Sequence, residues 1–291
     1  MKYDISHITQ YRYKLNASLS HNELFLTPRQ TPVQHCMEHT LTLSPAPSAM
    51  SQRKDYFGNS VTATTVQVPH TLFEITAKSR VELIPMPAPV PEETAPCEQV
   101  IAAVRRYATP EDLDAFQYVF PSPMIPVSQD LARWAKDLFP AGEPVLKAAL
   151  SLTERIFTQF TYDPGATTTT TPVAAAFEIK RGVCQDFAHI AIACLRSLGL
   201  PARYVSGYLH TQPPPGKERL KGAEASHAWF AVYLPGTGWV DLDPTNNVMP
   251  CDQHLTLAWG RDYSDVTPVK GTVLGGERHQ LSVSVDVTCM D

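Results

Sequence analysis

Three side chains in the second half of this chain are of the types that thiol acyl transfer requires. Cys184 stands in RGVCQDFAH, His227 in SHAWFAVYL and Asp243 in WVDLDPTNN. A cysteine attacks a carbonyl carbon as thiolate, so it needs a base within reach. An imidazole can take that proton and later hand it to the leaving amine, while a carboxylate fixes the imidazole tautomer and stabilises its cationic form. Alone, Cys184 reads as a small packing residue more readily than as a nucleophile. Cys194, mid-helix on an apolar stripe, shows that plainer reading. What separates the two is position.

In the stretch 181–209, Phe187, Ile190, Ala191, Cys194, Leu195 and Leu198 recur at helical spacing, and Gly199 and Pro201 end the run. Counted backwards, the helix begins near Cys184. A thiol there meets the positive end of the helix macrodipole, which favours thiolate. The free amides of the first turn can also receive a developing oxyanion. ARYVSGYL (202–209) is a strand by composition. After the polar loop HTQPPPGKERLKGAEAS, the segments HAWFAVYL and WVDLDPTNN flank Pro-Gly-Thr-Gly and read as a β-hairpin.

Register decides whether the hairpin joins acid to base. Alternation puts His227 and Trp229 on one face of the first strand, and Asp241 and Asp243 together on one face of the second. A plain four-residue loop would set Asp243 opposite Phe230, on the wrong face for His227. A three-residue loop or a β-bulge would set it opposite Trp229, diagonal to His227 and on its face. The chemistry therefore demands an odd loop or a bulge.

The rest of the chain supplies the frame. Residues 1–84 alternate in strand fashion (YDISHITQYRYKL, HCMEHTLTLS, VTATTVQV) and are read as an all-β domain. Proline recurs through PMPAPVPEETAP (85–96), a semi-rigid linker. From 97 to 291 extends the second unit. Ser128 can cap a helix through LARWAKDLF, Val145, Ala149, Leu152, Ile156 and Phe160 form one helical face, and Thr171-Pro172 can start a helix through AAAFEIK. The five threonines 167–171 read as a solvated loop, GRDYSDVTPVKGTVLGG as loop, and HQLSVSVDV (279–287) as a closing strand. Asp186 in the first turn and His189 are assigned structural roles.

Bulk properties exclude other classes. A net charge of −5, from 24 basic and 29 acidic residues without long runs, gives no concentrated basic patch for a nucleic acid. The N-terminus lacks the apolar region of a secretory signal, and nowhere do about 18 apolar residues follow one another. The six scattered cysteines read as free thiols in a reducing compartment. A cytoplasmic protein with no membrane segment and no cofactor is expected. Gly275-Gly276 lacks the strand-to-helix setting of a phosphate loop.

GVCQDFAH, SHAWFAVYLPGTGWVDLDPTN and GRDYSDVTPVKGTVLGG resemble bacterial transglutaminase-like proteins of the papain-like thiol superfamily. The resemblance covers nearly the whole chain, since such proteins carry an N-terminal β-domain of this size. It implies an α+β fold, a helix packed on an antiparallel sheet, with a Cys184-His227-Asp243 triad. Asp243 is preferred to Asp241 because it precedes Pro-Thr-Asn. It further implies an upstream oxyanion donor, for which Gln159 and Tyr162 are the candidates, rather than Gln185. The expected activity is cleavage of peptide or isopeptide amides, as in a cysteine protease or amidase, with amine-crosslinking transfer and a non-catalytic scaffold as alternatives. A metal site on Cys184, His227 and Asp243 is disfavoured, no second histidine or cysteine standing near them at ligand spacing.

Overall fold

The computed structural model describes residues 1–211 and 226–290, and the loop read into 210–226 lies almost wholly outside them. An N-terminal antiparallel sheet comes first, from β1 (Lys2–Leu24), β2 (Gln34–Ser44), β3 (Ala49–Lys54), β4 (Ser60–Val66) and β5 (His70–Leu83). After the proline-rich stretch, coil with a single 3₁₀ turn at Pro91–Glu93, the chain becomes helical. Helices α1 (Cys97–Arg106), α2 (Pro110–Phe116), α3 (Gln129–Ala135) and α4 (Val145–Gln159) precede the two-residue strand β6 (Thr161–Tyr162). Then follow α5 (Val173–Ile179), β7 (Arg181–Gly182), α6 (Cys184–Ser197), β8 (Ala202–Leu209), β9 (Ser226–Leu234), β10 (Gly238–Leu242), β11 (His254–Gly260), α7 (Tyr263–Val266), β12 (Val269–Gly275) and β13 (His279–Cys289). The fold is α+β.

The core of the second unit is α6 laid on a four-stranded antiparallel sheet of order β10-β9-β8-β11. The expected apolar stripe of α6 is present, but the helix is buried on every side, because α3, α4 and α5 cover what the sheet does not. Its polar residues are accordingly satisfied internally. Arg196 donates to the carbonyls of Ala202 (2.9 Å) and Arg261 (2.6 Å), and His189 Nε2 accepts from the Tyr263 amide at 3.2 Å. Ser128 caps α3 by accepting from the Leu131 amide, and Gly199 ends α6 at φ +84°.

The long strand β1 organises the N-terminal sheet. On one side it pairs with β5 and β4, and on the other with β13 and β12, which run along it almost end to end. This corrects two expectations. The stretch 269–275, read as loop, is strand. Both last strands, grouped by sequence with residues 97–291, belong to the N-terminal sheet. Gly271 is what makes the pairing possible, since a Cβ there would lie 2.2 Å from the His21 carbonyl oxygen. The two units share one core, in which Tyr3, Ile5, Val81, Leu83, Val285 and Val287 join the residues around α6. A smaller core (Tyr13, Leu24, Leu26, Phe73, Ile75 among others) lies wholly inside the β-unit. No helix among the described residues is long and apolar enough to cross a membrane.

Two buried histidines make this core acid-sensitive. His7 sits between the Tyr208 hydroxyl (2.8 Å) and Thr9 Oγ1 (3.0 Å), and burial lowers its pKa to about 4. His189 is likewise lowered to about 4 by burial. A folded pKa below the unfolded value of 6.5 gives stability that is complete above 6.5 and is lost as pH falls towards 4. Urea titrations at pH 7.5 and 4.5 are expected to differ by about 2–3 kcal/mol for each histidine. His7→Gln should remove close to one proton from the slope. An unchanged slope in that variant would contradict the assignment.

Candidate active site

The first turn of α6 is shaped by Asp186. Its Oδ2 accepts from the Val183 amide (2.8 Å) and from Thr167 Oγ1 (2.6 Å), turning back over Gly182. A Cβ on Gly182 would lie 2.5 Å from that oxygen, so the glycine is what lets the carboxylate curl in. Asp186 therefore anchors the threonine loop to the helix start, a structural role as expected. Gln185 assists by donating to the Thr169 carbonyl at 3.0 Å. Val183 has no oxygen to offer, so beyond the Val183 amide taken by Asp186 no side chain caps the turn that Cys184 begins. Cys184 is half-buried, whereas Cys194 is fully buried and its thiol is pushed up to about 12 by that burial.

His227 reaches Cys184 from β9. The hairpin register is the odd one, with Gly238 opposite Leu234, Trp239 opposite Tyr233 and Leu242 opposite Phe230, leaving a three-residue loop of Pro235, Gly236 and Thr237. Gly236 and Gly238 take the positive φ values (+80° and +99°) that close it. Asp243, the next residue, falls on the face of His227. The distance from its Oδ2 to His227 Nε2 is 2.8 Å, and the carboxylate is fully buried. Asp241 turns instead to the Trp229 indole N–H at 2.9 Å.

Asp243 is unusually well supplied with donors. Besides His227, its Oδ2 takes Asn246 Nδ2 at 2.7 Å and His254 Nε2 at 2.9 Å, and its Oδ1 takes the amides of Thr245 (2.9 Å) and Asn246 (3.3 Å). Burial alone would raise its pKa, but the bonds from His227, His254 and Asn246 outweigh it and hold the group well below the ordinary carboxylate range. An ionised Asp243 is acceptor-only, so both imidazoles must carry their proton on Nε2. That leaves His227 Nδ1 as the ring nitrogen open to Cys184, the thiol that acts on its charge. Burial opposes a charge on His227, yet its bond to Asp243 and the thiol of Cys184 raise its pKa to about 10.

Of the two upstream candidates, one is near the thiol. β6 pairs parallel with β7, setting Tyr162 opposite Gly182, two residues before Cys184. The Tyr162 ring meets Phe187 edge-on at 6.5 Å, and its hydroxyl is pushed up by partial burial and by Cys184 beside it. Gln159 ends α4 and is exposed. Sequence reasoning missed His254 altogether, and with it the second histidine whose apparent lack told against a metal. His227, Asp243 and His254 do bring one ligand atom each within 4.8 Å of one another. Ligand atoms on a tetrahedral zinc with bonds of about 2.0–2.1 Å sit about 3.3 Å apart, however. The 2.8 and 2.9 Å separations found here are those of hydrogen bonds.

Comparison with known proteins places this geometry in context. Residues 3–82 match the bacterial transglutaminase-like N-terminal region, and residues 132–244 match the transglutaminase-like superfamily core. An uncharacterized protein of Mycobacterium tuberculosis is 38% identical, over 98% of this chain and 92% of its own length. A protein-glutamine gamma-glutamyltransferase of Pseudomonas aeruginosa is 32% identical over 122 residues, which are 38% of this chain and 18% of that protein. Among solved structures, a candidate cysteine protease from Cytophaga hutchinsonii shares the fold at a TM-score of 0.76 and 23% identity, covering 100% of this chain and 91% of that one.

Proposed function

The chain belongs to the bacterial transglutaminase-like family, and on that premise we propose that it is a cysteine-nucleophile enzyme that opens peptide or isopeptide amides through a thioester on Cys184. One observation carries the reading: His227 stands between Cys184, which acts on its charge, and a fully buried, ionised Asp243, to which it hydrogen-bonds.

In the first half-reaction Cys184 Sγ attacks the amide carbon with its proton already held on His227 Nδ1, whose raised pKa keeps the imidazole cationic at neutral pH. The oxyanion forms against the uncapped first-turn amides of α6 and the Tyr162 hydroxyl. The imidazolium then protonates the leaving nitrogen, the C–N bond breaks, and the acyl group stays on sulfur. Water completes the cycle as in a cysteine protease or amidase, with His227 again serving as base. Water needs no dedicated acceptor site, which favours hydrolysis. The peptide or protein acyl donor is the partner this site suits.

Amine transfer is the second reading, and the similarity of part of this chain to a protein-glutamine gamma-glutamyltransferase favours it. Incubation with a fluorescent primary amine and a glutamine-rich protein separates the two. Ammonia release well in excess of label incorporation is expected, and label incorporation at a matching rate would overturn the preference for water. A non-catalytic scaffold would instead show Cys184 reacting with iodoacetamide no faster than buried Cys194.

Tyr162→Phe removes the oxyanion donor without emptying the space. It is expected to lower kcat by about 10–1,000-fold with KM little changed. Steady-state kinetics on an activated ester or amide would check this, and an unchanged kcat would remove Tyr162 from the mechanism.

A further inference from the structure

Two histidines from different strands aim at one carboxylate oxygen. His227 stands second in β9 and His254 opens β11, with β8 between them. They converge because β8 carries Gly207 at the crossing, opposite both His227 and Thr256. A Cβ at Gly207 would lie 2.1 Å from the Leu255 carbonyl and 2.5 Å from the Trp229 ring. The bare backbone lets the Trp229 indole lie across β8, where it meets the His254 ring edge-on at 5.1 Å. Trp229 is itself fixed through its N–H by Asp241. His254 is thus a buried ring held in one orientation by its neighbours, with Nε2 directed at Asp243.

A Cys-His-Asp mechanism has no evident need of this second imidazole. His227 already has its carboxylate, and the backbone amides of Thr245 and Asn246 already orient Oδ1. What His254 changes is the acceptor. Oδ2 is shared among His227, His254 and Asn246, and each donor draws on the same lone-pair density. A carboxylate oxygen bearing three donors holds any one of them less tightly than an oxygen bearing two.

We propose that His254 is a positioning residue that shares Asp243 with His227 and so weakens the hold of the carboxylate on the imidazolium, easing proton delivery to the leaving group. The proposal rests on the Cys184-His227-Asp243 reading above. The ionisable groups facing His227 are Cys184 from α6, Asp243 after β10 and His254 from β11. Tyr162 from β6 and Tyr204 from β8 face Cys184, and Asp241 lies beyond Trp229. Among these described groups, His254 is the one whose hydrogen bond to Asp243 can be removed while thiol and base both stay in place.

The test is the pH profile of Cys184 alkylation by iodoacetate, an anion that reacts fastest while the imidazolium is charged. Wild type, His254→Phe, His254→Gln and His227→Ala are compared, with thermal unfolding as the check on folding. The alkaline limb is expected to move up by about 0.5–1 pH unit in His254→Phe, where Oδ2 loses a donor, and to return towards wild type in His254→Gln, whose amide restores one. On an activated substrate, kcat should fall in His254→Phe with KM little changed. An alkaline limb that stays put or moves down in folded His254→Phe would overturn the proposal. Nitrogen NMR of the wild-type histidines gives an independent reading should that variant not fold. His254 protonated and hydrogen-bonded on Nε2 supports the proposal, and His254 unprotonated there overturns it. A wild-type profile with no alkaline limb, indifferent to His227→Ala, would instead remove the underlying triad and this proposal with it.

Discussion

Replacement of Cys184 by alanine is expected to lower amide or ester turnover by at least about 10,000-fold while leaving the protein folded. The size of the loss follows from the covalent step, since no other described side chain on the helix start can form the acyl intermediate. The small structural cost follows from position, since the thiol is half-buried at the first residue of α6, at the margin of the core. Cys194→Ala provides the contrast. That thiol is fully buried in the apolar core, so its truncation should cost about 1 kcal/mol of stability and leave turnover within a few-fold of wild type. Steady-state rates together with thermal unfolding of both variants check the pair. A Cys184→Ala protein that kept more than a hundredth of wild-type turnover would contradict the mechanism.

The second large effect is expected at Asp243. Asp243→Ala leaves the donors of His227, His254 and Asn246 and the amides of Thr245 and Asn246 without their acceptor, in a buried site. A stability loss of about 3–5 kcal/mol is expected. Asp243→Asn keeps the shape and loses the charge, so its effect should fall mainly on kcat, about 100- to 10,000-fold, as the imidazole loses its orienting tautomer and counter-charge.

The signs of the pH effects are opposite for the two partners. His227, raised to about 10 against 6.5 unfolded, contributes stability that is complete below 6.5 and is lost as pH rises through about 10. Asp243, held low, contributes stability present above the unfolded carboxylate range and lost in acid. Denaturant titrations of Asp243→Asn across pH 5–11 should therefore show a shallower alkaline decline than wild type. An equal decline in both would mean that the pair is not the source of it.

How much of this could be read from the chain depended on how local the cause was. The helix start at Cys184 was legible because Gly182, the apolar spacing from Phe187 and the Gly199-Leu200-Pro201 stop are all near neighbours. The hairpin was legible up to a choice between two registers, since Pro235-Gly236-Thr237-Gly238 admits a loop of either parity. Backbone twist and the positive φ of Gly238 select the odd one.

The losses were long-range. The stretch 269–275 looks like loop because Pro268, Gly271, Gly275 and Gly276 punctuate it. It becomes strand because β1, about 250 residues earlier, offers an edge against which Gly271 can lie close. His254 was missed for a related reason. HLTLAW alternates as a strand should, yet nothing within it says that β11 will pair with β8 and carry its first residue to Asp243. The crowding of α6 on all sides was also hidden, because Gln185, Asp186, His189 and Arg196 look like a solvent face until their partners are known.

The central claim is that Cys184 is made reactive by a specific imidazole. The most direct measurement is covalent labelling with an electrophilic peptide probe, with the site mapped by mass spectrometry in wild type, Cys184→Ala and His227→Ala. A single adduct on Cys184 is predicted, absent from Cys184→Ala and slowed at neutral pH by about 100-fold or more in His227→Ala. Labelling spread over Cys36, Cys251 and Cys184 at similar rates, or labelling of Cys184 that does not depend on His227, would contradict the account.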